Sequence, residues 1–133
     1  MNLQVIMDES TKKILVLIFL SVMLSVGGQL LMKNGMKIVG QISLAQIIMP
    51  PTLFQVILNP YIIAGVGLYV FASVVWLVVL SRAELSYAYP MIGMSYIITS
   101  VLAWIIFKEN MTALRFLGII SIISGVYLIS LKK

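Results

Sequence analysis

Leu24-Ser25-Val26-Gly27-Gly28-Gln29-Leu30-Leu31-Met32-Lys33-Asn34-Gly35 closes a long apolar run, yet it carries a serine, a glutamine and a lysine at four-residue spacing. With Ser21, the residues Ser25, Gln29 and Lys33 form one inclined stripe, because residues four apart on a helix lie nearly above one another. The other faces of that helix are Leu, Val, Ile, Phe and Met. A polar stripe on an apolar helix must face polar groups or other protein, so the rest of the chain is read as what it faces.

Composition sets the solvent. The 133 residues are 62% hydrophobic and 10% charged, with a mean hydropathy of +1.13. Soluble domains are about 45–50% apolar and about 25% charged. One domain of this length cannot hide so much apolar surface in a core, so lipid is its solvent. The chain has no cysteine and no histidine. That inventory excludes disulfides, thiol chemistry, Ser–His–Asp and Cys–His catalysis and a conventional zinc site. The expectation is therefore a protein that is not an enzyme and needs no metal or other cofactor. The net charge of +5 gathers at the ends of apolar runs. There it reads as anchoring to membrane lipids, with no nucleic-acid partner.

In chain order, residues 1–13 are mixed and polar and are expected at the membrane surface. Ile14–Met32 is uncharged and bracketed by Lys13 and Lys33; about 20 apolar residues span a bilayer, giving a first span at about 14–33. A rival reading takes Lys12 and Lys13, the apolar run and Ser25-Val26-Gly27 as a secretory signal, but the run outlasts a usual signal core and further spans follow. Asn34-Gly35 is expected to stop the helix. Ile38–Asn59 is interrupted by Gly40, Gln41, Gln46, Pro50-Pro51 and Gln55, so it reads as an interfacial or re-entrant segment. Asn59-Pro60 resembles a capped helix start, and the second span is 60–80. Ser81 and Glu84 fit a capping box that opens a third span, 82–107, with Pro90 and Gly93 inside it. Lys108-Glu109-Asn110 makes a tight turn, and the fourth span is 112–131. The short connections predict that spans two, three and four are antiparallel neighbours. The fold class is thus an all-α membrane protein with four transmembrane helices in a single domain.

Orientation is nearly balanced. Lys12, Lys13, Arg82, Lys132 and Lys133 lie on the side of the termini, against Lys33, Lys37, Lys108 and Arg115 on the other. The bias leans to termini inside, and a count so even also suits a protein that inserts either way.

Several residues stand out for chemistry. In span four, Gly118, Ser121 and Gly125 share one face, which allows close helix packing, either inside one monomer or as a dimer interface. In span one, Ser21 and Ser25 either bond back to their own helix or join the polar stripe. An amide such as Gln29 facing lipid would leave several groups unpaired. Lys33 either snorkels to head groups or holds an anion. In span three, Tyr89 and Tyr96 fall on one face with Gly93 and Ser100, and a tyrosine deep in a span needs a partner for its hydroxyl. Tyr87 and Trp104 suit aromatic belts. Glu84, Glu109 and Arg115 sit at helix ends, where Glu109 and Arg115 are close enough in sequence to pair. No Asp or Glu lies deep in a span, whereas proton-driven antiporters keep a buried acid.

These pieces resemble the drug/metabolite transporter superfamily, small four-helix type. Leu31-Met32-Lys33, Ala88-Tyr89 and the pair Gly118 and Gly125 match the layout of small multidrug resistance proteins, but Ser25 stands where those exporters carry their essential glutamate. Closer is the resemblance to subunits of the flippase for undecaprenyl-phosphate-linked aminoarabinose. It rests on Leu24 to Leu30 with Lys33, on Trp76-Leu77-Val78-Val79-Leu80, on Ala88-Tyr89-Pro90-Met91, and on Leu117-Gly118 to Ser124-Gly125 after Glu109. The longer Ile38–Asn59 segment and the acidic pair Asp8 and Glu9 depart from it. The resemblance implies a homodimer or heterodimer in the cytoplasmic membrane of a prokaryote that moves a lipid-linked sugar phosphate outward. The residues fit such a substrate: Lys33 with Arg115 or Lys37 would hold the phosphate, Ser25, Gln29, Tyr89 and Tyr96 would bond sugar hydroxyls, and Glu109 or Glu84 would balance any sugar amine. The other readings are a small-solute or cationic drug antiporter, and a membrane subunit that only scaffolds a partner.

Overall fold

The computed structural model describes the backbone of residues 3–130 and the side chains of residues 10–128. Among the described residues it is all-helical: α1 (Leu3–Val39), α2 (Leu44–Ile47), α3 (Pro50–Ile57), α4 (Pro60–Leu80), α5 (Leu85–Phe107) and α6 (Ala113–Ser130). Three stretches of the described residues are long and apolar enough to cross a membrane: Ser10–Val39, Pro60–Leu80 and Leu85–Phe107. The apolar part of α6, Ala113–Leu128, is shorter. Lys132 and Lys133, counted above for orientation, lie outside the described residues.

The expected stop at Asn34-Gly35 does not occur. α1 runs on to Val39 and ends at Gly40, whose φ of +90° is the left-handed conformation that glycine adopts freely. Gly35 is instead buried against the start of α4, where Asn59 donates its amide N–H to the Gly35 carbonyl at 3.4 Å. Tertiary packing there keeps the helix going. Asn59 caps α4 as expected, accepting from the backbone N–H of Tyr61 and Ile62 at 3.0 and 3.3 Å. Residues 40–59 form the two short helices α2 and α3, neither long enough to span. α2 carries a capping box, with Ser43 N–H donating to Gln46 at 2.7 Å and Gln46 N–H to the Ser43 hydroxyl at 3.3 Å. The capping box expected at Ser81 and Glu84 does not form. Ser81 ends α4 and donates its hydroxyl to the Val78 carbonyl at 2.8 Å. Glu84 caps α5 with its backbone only, because a connection this short leaves Ser81 committed to the helix it closes.

α1 is the centre of the bundle and packs along both α4 and α5. Ser21 meets Ala72, Gly28 meets Gly65 and Gly35 meets Asn59 and Ile62. As one index rises the other falls, so α1 and α4 are antiparallel. The ends of α1 and α5 coincide at Lys33 with Glu109 and Lys37 with Phe107, so those helices are parallel. The expected neighbour relation holds for α5 and α6. It is corrected for α4 and α5, which barely touch because α1 packs against both; their visible link is Trp76, edge-on to Tyr89 at 5.9 Å. The buried core is small: Ile18, Val22, Val26, Ala72, Val79 and Ala88. Most other large apolar side chains face outward, which is the arrangement of a protein whose outer surface is solvated by lipid.

Candidate functional site

The gap between α4 and α5 is a groove with α1 as its floor. It encloses about 170 Å³ and is lined by Ser21, Ser25, Tyr69, Ser73, Trp76 and Ser95 among others. Because its two walls scarcely meet, it opens sideways, toward where lipid would lie.

The hydroxyls in the groove divide into two kinds. Ser21 donates to the Ala72 carbonyl at 3.0 Å across the α1–α4 seam, not to its own helix. Ser73 donates back to the Tyr69 carbonyl at 2.9 Å. Ser25 and Ser95 make no hydrogen bond among the described residues, although Ser95 is only 8% exposed. Among the described residues no fully buried side-chain oxygen or nitrogen lacks a partner, so the Ser95 hydroxyl reaches the open groove. Two unpaired hydroxyls lining one groove, from α1 and α5, are ready acceptors and donors for a polar ligand.

Gln29 is half-buried, one turn below Ser25 and one turn above Lys33. Lys33 itself does not merely reach for solvent: its Nζ lies 3.0 Å from Oε1 of Glu109. The hydrogen bond from Lys33, and then its charge, hold the Glu109 carboxyl below its ordinary value of 4.5. The charges of Arg115 and Lys37 add to the effect. Lys37 also lies over the Phe107 ring at 4.4 Å. The expected pairing of Glu109 with Arg115 is replaced by Lys33. Arg115 instead folds over the α5–α6 turn, its Nη1 donating to the Asn110 carbonyl at 2.9 Å. Lys33 lies about 12 Å from Ser25 along α1, eight residues at 1.5 Å each.

Tyr89 stands beside Trp76 at the other end of the groove, with its ring exposed. Tyr96 is 64% exposed and is not among the residues that line the groove. The inward face of α5 is one residue out of phase with the tyrosine face: Ala88 and Ser95 point in, Tyr89 and Tyr96 out. One residue is a rotation of about 100° on a helix. The signal in the sequence was the small pair Ala88 and Ser95 at i, i+7. Tyr69, Ser73, Trp76 and Ser95 were all missed as groove residues.

Among the described residues, Gly118 and Gly125 meet nothing: a Cβ at either would have open space around it. Ser121 bonds back to the Leu117 carbonyl at 3.0 Å. The glycine that does pack α6 is Gly93 of α5, against Val126 and Ile122. The small-residue face of α6 is therefore left uncovered by the described residues.

No family model and no solved structure matches this chain. Bacterial proteins of known name do. The chain is 34% identical over 116 residues to the probable 4-amino-4-deoxy-L-arabinose-phosphoundecaprenol flippase subunit ArnF of Proteus mirabilis, covering 84% of this chain and 87% of that protein. It is 31% identical over 116 residues to the corresponding probable subunit ArnE of Serratia proteamaculans, covering 87% and 94%. The ArnF of the same Serratia strain is 33% identical over 114 residues, covering 83% and 86%. These relatives are named as flippase subunits and not as enzymes. With its apolar helices and with relatives alignable over nearly their whole length, this multi-pass membrane protein belongs to the family of 4-amino-4-deoxy-L-arabinose-phosphoundecaprenol flippase subunits.

Proposed function

We propose that this chain crosses the cytoplasmic membrane four times, with α1, α4, α5 and α6, and moves a polyprenyl-phosphate-linked aminosugar between leaflets as one half of a dimer. The observation that carries the reading is the sideways-open groove with the unpaired hydroxyls of Ser25 and Ser95. A lipid-linked head group crosses while its tail stays in lipid, so it needs a polar path open to the bilayer and not a closed channel. Ser25, Ser95 and Gln29 bond the sugar hydroxyls, and Tyr89 flanks one end of the path. Lys33 receives the phosphate as a point charge; Glu109, its present partner, is then freed for a cationic amine. Arg115 adds a second cation at the same end.

The second half is another copy or a similar small subunit, as the two subunit names among the relatives suggest. Its seam is the uncovered Gly118, Ser121 and Gly125 face, where backbones can approach closely. Tyr96, on the outward face of α5, contributes only if that second subunit covers it.

The test is leaflet accessibility of the lipid-linked aminosugar in vesicles holding the chain with its partner. Ser25→Leu, by filling the groove, and Lys33→Ala, by losing one charge-assisted hydrogen bond, should each cut transfer at least about tenfold, with insertion and assembly unchanged. Full transfer by both variants would refute the assignment.

A further inference from the structure

A second cavity, of about 250 Å³, lies at the far end of α5 and does not communicate with the groove through any shared residue. Its wall is Thr99, Ser100 and Trp104 from α5; its rim is Glu109 and Asn110 from the turn and Arg115 from α6. The cavity exists because Lys108 ends α5 in the left-handed conformation, φ 54°. That reverses the chain, so that α6 returns beside α5. The Arg115 bond to the Asn110 carbonyl and the Thr112 hydroxyl, which accepts from Arg115 N–H at 3.3 Å, hold the turn in place. Thr99 lies nine residues before Lys108, so the cavity reaches roughly 13 Å inward from the turn.

Its chemistry is mixed in a particular way. The indole of Trp104 is 53% exposed and offers an apolar plate of the kind that sugar C–H faces stack upon. Neither the Thr99 nor the Ser100 hydroxyl has a hydrogen-bond partner among the described residues, whereas Ser121 and Ser124, on the lipid-facing helix α6, both bond back to carbonyls four residues earlier. Among the described residues the Arg115 guanidinium donates through Nη1 alone, which leaves Nη2 and Nε as donors for an anion. Glu109 gives Oε1 to Lys33, and its second oxygen has no partner among the described residues. Opposite charges are thus held apart on one rim, since Glu109 and Arg115 make no ion pair with each other.

We propose that this cavity is a second head-group site, a vestibule that takes a pyranose carrying both a cationic amine and a phosphate before or after it occupies the groove. The sugar ring lies on Trp104, its amine on the free oxygen of Glu109, its phosphate on Arg115, and its hydroxyls on Thr99 and Ser100. Glu109 faces the vestibule with one oxygen and the Lys33 end of the polar stripe with the other, so the same carboxylate links the two sites. The proposal deepens the flippase reading and rests on it for the identity of the sugar.

The chain has two tryptophans, so Trp76→Phe leaves Trp104 as the only indole. If that variant does not fold, the difference between the wild-type and Trp104→Phe signals gives the same readout. The probes are 4-amino-4-deoxy-L-arabinose 1-phosphate, L-arabinose 1-phosphate and inorganic phosphate, titrated against purified protein in nanodiscs. The aminosugar phosphate should change Trp104 emission saturably and bind about tenfold more tightly than L-arabinose 1-phosphate, the worth of one charge-assisted bond. Glu109→Gln should remove that preference, and Arg115→Gln should weaken both sugars. Ser100→Leu fills the cavity without touching the ion pair and should abolish binding. Equal affinity for the two sugars, no saturable response, or unchanged binding in Glu109→Gln and Ser100→Leu would overturn the proposal. If vesicles transfer the lipid-linked sugar but the soluble probe does not bind, the vestibule fails alone. If the probe binds with the Glu109 dependence and no lipid moves, the vestibule stands and the flippase reading fails.

Discussion

Gly65→Ala should destabilise the α1–α4 pair, whereas the same added methyl at Gly67 should not. A Cβ at position 65 would lie 2.7 Å from the Gly28 carbonyl oxygen, 2.7 Å from Met32 Cγ and 2.9 Å from Met32 N. Met32 Cγ can swing away, but the two backbone atoms cannot. Restoring ordinary contact requires the helices to part by about 0.7 Å, and a radial gap of that size forfeits a quarter to a half of each dispersion contact along the seam. The Ser21–Ala72 bond, already 3.0 Å, would stretch beyond useful length, at a cost of about 0.6 kcal/mol for an interhelical bond in a membrane. With an overpacking strain of about 1–3 kcal/mol, the loss is about 2–4 kcal/mol, offset by about 0.5–1 kcal/mol because alanine is the better helix former. Gly67, two residues along the same helix, faces open space: a Cβ added there would meet nothing within 4 Å among the described residues. Gly67→Ala should therefore be neutral or stabilising by about 0.5–1 kcal/mol, because alanine is the better helix former. The assay is SDS-titrated unfolding in mixed micelles, followed by tryptophan emission. Equal stability of Gly65→Ala and Gly67→Ala would refute the backbone contact.

Ser21→Ala should cost about 0.6 kcal/mol in the same titration and leave transfer intact, since its hydroxyl is committed to Ala72 and not to the groove; a stability unchanged from wild type would show that bond to be absent. Asn59→Ala removes both the α4 cap and the clamp on Gly35, and should cost about 1–2 kcal/mol, visible as faster amide exchange at Tyr61 and Ile62. The Lys33–Glu109 pair predicts a pH effect with a fixed sign. Glu109 is depressed in the folded state, so the pair's stabilisation is present above the ordinary value of 4.5 and is lost as pH falls through the lower folded value. Glu109→Gln should flatten stability across that acidic window, and an unaltered profile would contradict the pair.

Hydropathy made α1, α4 and α5 legible, because an uncharged run long enough to span needs no tertiary information. The Asn59-Pro60 start was legible for the same reason: a cap is local chemistry. What the chain does at Gly35 was not, since a glycine after an asparagine is as good a signal for a stop as for a close approach, and only the position of α4 decides. The α1 side of the candidate groove was readable at Ser21 and Ser25, where the polar residues repeat at four-residue spacing. It was misphased on α5, where tyrosines drew attention from the smaller Ser95 one residue away. The partner of Lys33 was hidden because residues 33 and 109 are brought together only by the parallel course of α1 and α5.

The two faces of α1 differ in what they permit mechanically. Toward α4, the contact at Gly28 and Gly65 is backbone against backbone, with no rotamers to exchange and so a single register. Toward α5, the facing surfaces are Leu15, Ile18, Phe19, Met91, Met94 and Ile98 around a gap of about 230 Å³. Methionine side chains fill irregular space in several ways, and a gap gives them room. Any second arrangement of this bundle is therefore reached by repacking along α5, with α1 and α4 travelling as one rigid rail.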